Sequence, residues 1–269
     1  TMILYLVWLR EQEILNFQST TLYGVKVLYE EGFEGFLYRK PDKKEEADEE
    51  ERDEKDAPGT IWFGKREEAQ ALITTLGSKA RVIESTATRE RTRAPKLFKL
   101  ATAQIEAGRI GYNAADTLRI LQRLYEKKVM SYPRTDCEYL GGNENLKAML
   151  SAVSAVPELE KYVEQITDSD IQRVKASTAW INNKALKDEG HSALVPTKKQ
   201  PKWEELDGEE QDIYRMICCR FLAPFLPPLI QDKTILITET GGSTFRSSGK
   251  TLVDPGWTVI YGKKFEDTK

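Results

Sequence analysis

The sequence predicts an α+β fold in which a helical domain is inserted into a β-rich one. Three observations carry this. Residues 22–85 contain short apolar runs bounded by turns, as strands do. Residues 97–166 switch to apolar residues three and four apart. Strand-like runs return after Pro227-Pro228. Pro-containing basic stretches near 86–96 and 197–202 read as the two crossings, giving domains over 1–92, 93–197 and 198–269. No internal repeat is visible.

In order, residues 1–16 read as a helix, with Ile3, Leu6, Val7 and Ile14 on one face; it opens without an N-cap. Residues 22–30 alternate like a strand, and Glu31-Gly32 turns the chain into a second strand over 33–39. Ile61-Trp62-Phe63 is a short strand, 65–77 a helix and Arg81 to Ser85 another strand. In the middle domain Leu97, Ala101 and Ile105 mark a helix that stops near Gly108. Asn113, with Asp116 three residues on, is an N-cap signal. The helix it opens carries Leu118, Leu121 and Leu124 and ends at Lys127-Lys128. Helix, Gly-containing turn and helix form a helix-turn-helix outline. Further helices fit 143–155 and 157–166, the latter opening at Pro157. Residues 207–226 read as a helix, and 233–240, 244–248 and 256–261 as strands, with Gly241-Gly242 a hairpin turn.

Composition narrows the function classes. No apolar run is long enough to cross a membrane, and the opening Ile3–Leu9 run lacks the flanks of a signal peptide. Cys137, Cys218 and Cys219 form no CxxC, which argues against a disulfide framework or zinc ribbon and for a reducing, cytoplasmic setting. The net charge of −3 hides an uneven distribution. Residues 41–56 carry ten acids and four bases, leaving the rest of the chain at +3. That stretch has almost no apolar residue and reads as a solvated, mobile surface loop.

The chemistry concentrates in Ser131-Tyr132-Pro133-Arg134-Thr135-Asp136. Proline keeps the residue before it out of the α region, so Tyr132 is extended or at a turn. In an extended segment Tyr132 and Arg134 share a face. A phenol beside a guanidinium fork suits a phosphodiester, the phenol attacking phosphorus and the fork binding its oxygens. A phenolate, of ordinary pKa about 10, leaves phosphorus far more readily than an alkoxide, so the adduct is reversible. His191, the only histidine, sits in a stiff loop running to Pro196. Alone it is a poor zinc ligand, but it suits hydrogen bonding to phosphate or proton transfer.

The run Gly111-Tyr112-Asn113-Ala114, Thr117-Leu118, Leu124 to Lys128, Ser131 to Cys137 and Tyr139-Leu140 resembles the active-site region of type IA DNA topoisomerases, in particular the bacterial topoisomerase III branch. His191-Ser192-Ala193-Leu194-Val195-Pro196-Thr197 is similar to a second signature of that family, and Phe245, Gly249 and Gly256-Trp257 to a third. Arg10-Glu11-Gln12-Glu13-Ile14 and Phe17 extend the likeness to the N-terminal helix. The resemblance implies a winged-helix-type tyrosine domain carried by a β arch that forms part of a toroid. It implies that Tyr132 forms a 5′-phosphotyrosyl link, Arg134 clamps the scissile phosphate and His191 joins its hydrogen-bond network. Lys128, Ser131, Thr135 and Ser192 are expected to touch DNA. Ser192 departs from the histidine common in topoisomerase III relatives, and 41–56 looks like an insertion.

The family's nucleotidyl domain, with its acidic Mg²⁺ cluster and catalytic lysine, has no counterpart here. Most of the gate domain and any zinc fingers are also missing. The chain is therefore expected to be a central segment of a larger enzyme, to bind no Mg²⁺ itself and to be inactive alone. Expected partners are single-stranded or negatively supercoiled DNA and the parent's own nucleotidyl and gate domains, with no membrane. The expected setting is a bacterial cytoplasm, on the nucleoid. The alternative is a non-catalytic single-stranded nucleic-acid-binding module, resting on the helix-turn-helix outline and the basic linker. A structural module using 41–56 is a weaker third. A tyrosine recombinase lacks support, because no further Arg/His constellation is visible.

Overall fold

The computed structural model describes residues 2–41 and 57–262. The acidic stretch lies outside them apart from Pro41. The chain divides into two compact units. One comprises residues 1–88, 233–251 and 267–269, the other 89–232 and 252–266.

The first unit begins with α1 (Met2–Leu15), a helix as expected, although none of its residues is buried. Ile3, Leu6, Val7 and Ile14 all face solvent. Short strands β1 (Tyr23–Gly24), β2 (Lys26–Leu28), β3 (Glu34–Leu37) and β4 (Trp62–Phe63) precede α2 (Arg66–Thr75). Val25, Leu37, Ala69 and Phe245 make its small core. β5 (Arg81–Thr92), β6 (Leu229–Thr240) and β7 (Ser243–Asp254) complete a five-stranded sheet of order β2-β3-β7-β6-β5. β3 and β7 are antiparallel, with Leu37 opposite Phe245. Gly241 and Gly242 both take positive φ (57° and 75°), as a two-residue hairpin turn requires. A Cβ at Gly241 would lie 2.2 Å from the Thr75 carbonyl, so the turn admits no other residue.

Two expectations fail here. Residues 86–92 are not a linker but the second half of β5. β5 is an edge strand exposed along nearly its whole length, so it shows no buried alternation to read. Residues 256–261 are a 3₁₀ helix rather than a strand. Pro255 holds φ at −66°, and Gly256 turns left-handed (φ 48°) where a Cβ would meet the Pro228 carbonyl at 2.3 Å.

The second unit is helical. It contains α3 (Leu100–Gly108), α4 (Ala114–Glu126), α5 (Leu146–Val153), α6 (Glu160–Val163), α7 (Asp168–Lys175), α8 (Asn183–Glu189) and α9 (Gly208–Leu222). Its core joins Ala103 and Ala107 of α3, Ile120, Leu121 and Leu124 of α4, and Ile213, Tyr214 and Ile217 of α9. The buried face of α3 is thus Ala103 and Ala107. Ile105, expected to be apolar-side, is 64% exposed, because it lies two residues from both Ala103 and Ala107 and so on the other side of α3. The Asn113 cap is present, its side chain accepting from the Asp116 N–H at 2.8 Å.

The helices expected over 143–155 and 157–166 shorten to eight and four residues. Asn145 caps the first of these, and turns at Val156–Leu159 break the second. The helix expected over 207–226 ends at Leu222 and continues as a 3₁₀ turn, Ala223–Phe225. α9 packs on α4, α3 and α5, so the boundary read near 197 falls instead at 232/233. Two helices, α7 and α8, lie where none was expected.

Candidate active site around Tyr132

The end of α4 fixes the start of the candidate site. Lys127 caps the helix and Lys128 follows with φ 62°, the only non-glycine residue at positive φ among the described residues. The Lys128 N–H donates to the Tyr125 carbonyl (2.8 Å) and the Val129 N–H to the Leu124 carbonyl (3.2 Å). This is a Schellman ending with lysine in the position that glycine usually takes. The Lys128 ammonium is exposed and makes no ion pair among the described residues.

From this turn the chain runs extended beside the His191 loop. The Thr197 N–H donates to the Val129 carbonyl and the Ser131 N–H to the Val195 carbonyl, each at 3.0 Å. The Thr197 hydroxyl donates to the Lys128 carbonyl at 2.7 Å. The Ser131 hydroxyl donates to the Ala193 carbonyl (2.9 Å) and accepts from the Val195 N–H (3.0 Å). Its single proton is thereby committed to joining the two loops. On the other side, Leu100 at the start of α3 donates its N–H to the Thr135 carbonyl at 3.0 Å.

Tyr132 is half-buried on this frame. Its ring lies 4.5 Å, centroid to centroid, from the His191 imidazole and 5.7 Å from the Tyr125 ring, edge on. Pro133 is buried and Arg134 exposed. The chain bends at Pro133-Arg134, so the two-residue spacing argument for a straight strand does not transfer. Arg134 makes no ion pair among the described residues, and the nearby Glu138 pairs with Lys96 at 3.3 Å. Thr135 is only 4% exposed, and its hydroxyl oxygen accepts from the Cys137 N–H at 3.1 Å. It shapes the turn from inside and is closed to direct contact with DNA. Ser192 is half-buried beside His191 and donates weakly to the Ala193 carbonyl at 3.4 Å.

Of the expected residues, the fold brings Tyr132 and His191 into contact, although 59 positions separate them in the chain. α8 explains how. Asn182 caps it, and Gly190 stops it in the left-handed region (φ 75°), so His191 leaves the helix end toward Tyr132. Both cap signals are in the sequence, but the seven residues between them are too few to show a helical repeat. The fold also brings in Tyr125, seven positions before Tyr132 and within the Leu124 to Lys128 stretch of the resemblance, which gives it no role of its own.

Behind the site, Glu210 of α9 is buried and receives the Lys127 ammonium at 2.5 Å, with the Arg123 guanidinium at 3.7 Å. Tyr112 donates to Asp212 at 2.7 Å, and that bond with the acidic surroundings pushes the phenol up to about 12. Burial pushes the Cys218 and Cys219 thiols up, leaving them as packing groups. No cluster of three or more His, Cys, Asp or Glu able to hold a metal occurs among the described residues, and no helix there is long and apolar enough to cross a membrane.

Comparison with known proteins places the chain in a family. The family model described as DNA topoisomerase matches residues 1–269. DNA topoisomerase 3 of Bacillus subtilis is 31% identical over 262 residues, which is 96% of this chain and 33% of that protein. DNA topoisomerase 3 of Bacillus licheniformis is 29% identical over the same shares. The structure of full-length topoisomerase I from Thermotoga maritima shares the fold, with a TM-score of 0.63 at 20% identity over 99% of this chain and 41% of that one. The chain therefore spans about a third of the length of the curated relatives.

Proposed function

The chain belongs to the DNA topoisomerase family, in its type IA division, and from that premise we propose that it carries the tyrosine half of a single-strand cleavage site. The observation that carries the reading is the half-buried Tyr132 phenol against the His191 imidazole, beside an Arg134 with no competing ion pair among the described residues.

In the proposed reaction the Tyr132 oxygen attacks the scissile phosphorus. A bond from phosphorus to the tyrosine oxygen forms, and the bond to the 3′ oxygen of the neighbouring nucleotide breaks. The phenol loses its proton and the departing 3′ hydroxyl gains one. Arg134 neutralises charge building on the phosphoryl oxygens. His191, held by ring contact, donates a hydrogen bond to the same phosphate. Religation is the reverse, the 3′ hydroxyl displacing the phenolate after another strand has passed. DNA is the substrate in this reading, in single-stranded or negatively supercoiled form, and the setting is the bacterial nucleoid.

The family's chemistry is metal-dependent, and we assign Mg²⁺. Its ligands, in this reading, come from the parent's nucleotidyl domain, as the resemblance implies. Lys128 and Ser192 remain candidate DNA contacts. Ser131 and Thr135 act through the backbone frame.

The test is Tyr132→Phe in the parent protein. Loss of the covalent DNA adduct and of relaxation supports the reading, and unchanged relaxation sinks it. Residues 1–269 alone should show no Mg²⁺-dependent relaxation.

A further inference from the structure

A groove of about 320 Å³ opens within the helical unit, and none of Tyr132, Arg134 and His191 lines it. Its floor is apolar, made by the buried Trp180, Pro224 and Leu226 with the half-buried Pro228. The Trp180 indole N–H donates to the Pro95 carbonyl at 3.2 Å, so the polar edge of that ring is already satisfied. Two guanidinium groups stand on the rim, Arg93 just past β5 and Arg173 on α7. Arg173 donates to the Pro224 and Phe225 carbonyls at 3.1 and 2.8 Å and pairs with Asp170 at 3.3 Å, which leaves two of its five N–H groups unused. Arg93 is exposed, and its guanidinium makes no ion pair among the described residues. No Asp or Glu among the described residues lines the groove.

These groups define the occupant. Guanidinium groups only donate hydrogen bonds, so the rim calls for anionic acceptors. The planar fork matches a carboxylate in particular. A free anion would leave the apolar floor unused. Single-stranded nucleic acid fits less well, because its bases stack on open aromatic faces and Trp180 is only 6% exposed. What remains is a chain that carries carboxylates on either side of an apolar group. We infer that this groove docks an acidic segment of a partner protein, with one apolar side chain on the floor and the flanking carboxylates on Arg93 and Arg173.

The chain's own acidic stretch is not that segment. Residues 41–56 carry the charge but almost no apolar side chain to fill the floor. The docking site is also independent of the proposed cleavage reaction, since it shares no residue with the Tyr132 site. Arg93 directly follows β5 and Pro228 directly precedes β6, so the partner touches the helical unit where its main stretch begins and ends.

The test is fluorescence anisotropy of a short labelled peptide in which aspartates flank a leucine, titrated with the parent protein. The expected result is saturable binding that weakens by about tenfold or more when serine replaces the leucine. Arg93→Glu should weaken it by roughly fivefold or more and leave the unfolding midpoint unchanged, because that guanidinium holds nothing else in place. A peptide copying residues 41–56 supplies charge alone and should bind no better than the serine peptide. Hydrogen exchange read by mass spectrometry should slow over residues 173–180 and 224–228 when the leucine peptide binds. Equal binding of the leucine and serine peptides overturns the apolar floor and with it the docking site. Binding that survives Arg93→Glu, or protection confined to other segments, overturns the placement in this groove. Displacement of the peptide by oligo(dT), with both weakened alike by Arg93→Glu, overturns the protein partner in favour of nucleic acid. Failure of the leucine peptide and of its phenylalanine counterpart to bind overturns the inference outright.

Discussion

The His191 imidazole lies 4.5 Å from the Tyr132 ring, tilted by 37° from its plane. At that distance the two rings pack on one another, so in the proposed reaction His191 would hold the Tyr132 ring as well as hydrogen-bond the phosphate. The two roles separate by substitution. His191→Phe keeps a ring against Tyr132 but cannot hydrogen-bond. It is expected to preserve thermal stability and to lower the rate of covalent adduct formation in the parent protein by about 10²-fold, the scale of one lost transition-state donor. Equal adduct rates in both proteins would reduce His191 to packing.

Lys128 holds a left-handed backbone (φ 62°) at a helix end where glycine is the ordinary choice. A side chain there costs about 1–2 kcal/mol, and glycine returns roughly 0.5–1 of that through unfolded-state entropy. Lys128→Gly should therefore stabilise the chain by roughly 0.5–1 kcal/mol in denaturant unfolding. It should also weaken single-stranded DNA binding and flatten its salt slope by about one phosphate contact. A more stable protein with unaltered salt slope would remove Lys128 from the DNA surface.

Glu210 is buried on α9 and accepts from Lys127 at 2.5 Å and from the Asp207 N–H at 3.1 Å. It ties α9 to the last turn of α4, one residue before Lys128. Glu210→Ala strands these donors and is expected to cost roughly 1–3 kcal/mol. The loss should reach the tyrosine segment, seen as faster hydrogen exchange at the Lys128 and Val129 N–H groups. If exchange there stays at the native rate while stability falls, the network is structural only.

How much of this was legible depended on whether each signal was local. The Asn113 cap, the Gly241-Gly242 hairpin and the end of α4 at Lys127-Lys128 are written in adjacent residues and stand as expected. β5 is not legible because an edge strand exposed on both faces has no periodicity, and its Arg and Thr residues look like a linker. α7 carried its capping pair, Thr167 and Asp170, and α8 its Asn182 and Gly190, yet neither helix is long enough to show a repeat. In the candidate site, chain order alone sets Tyr132 and Arg134 near one another. The Tyr132–His191 contact and the tying up of Ser131 depend on pairing between residues 129–131 and 195–197, which no local pattern records.

Asp170 supplies the pH dependence. Its carboxylate accepts from the Thr167 hydroxyl at 2.6 Å and from the Thr167 N–H at 3.1 Å, with Arg173 at 3.3 Å. The Thr167 hydroxyl bond, before the weaker help of Arg173, holds its pKa below the ordinary carboxylate value despite some opposing burial. A carboxylate whose folded pKa is depressed stabilises the fold above the unfolded pKa, about 3.9 for aspartate, and loses that contribution as pH falls through the folded value. Asp170→Asn should therefore cost about 0.5–1 kcal/mol at neutral pH, the scale of a helix cap. The gap to the native protein should shrink once the pH drops below about 4. Paired urea unfolding curves at neutral and acid pH measure it, and a gap of constant size would show that hydrogen-bond shape alone, not the charge, makes this cap.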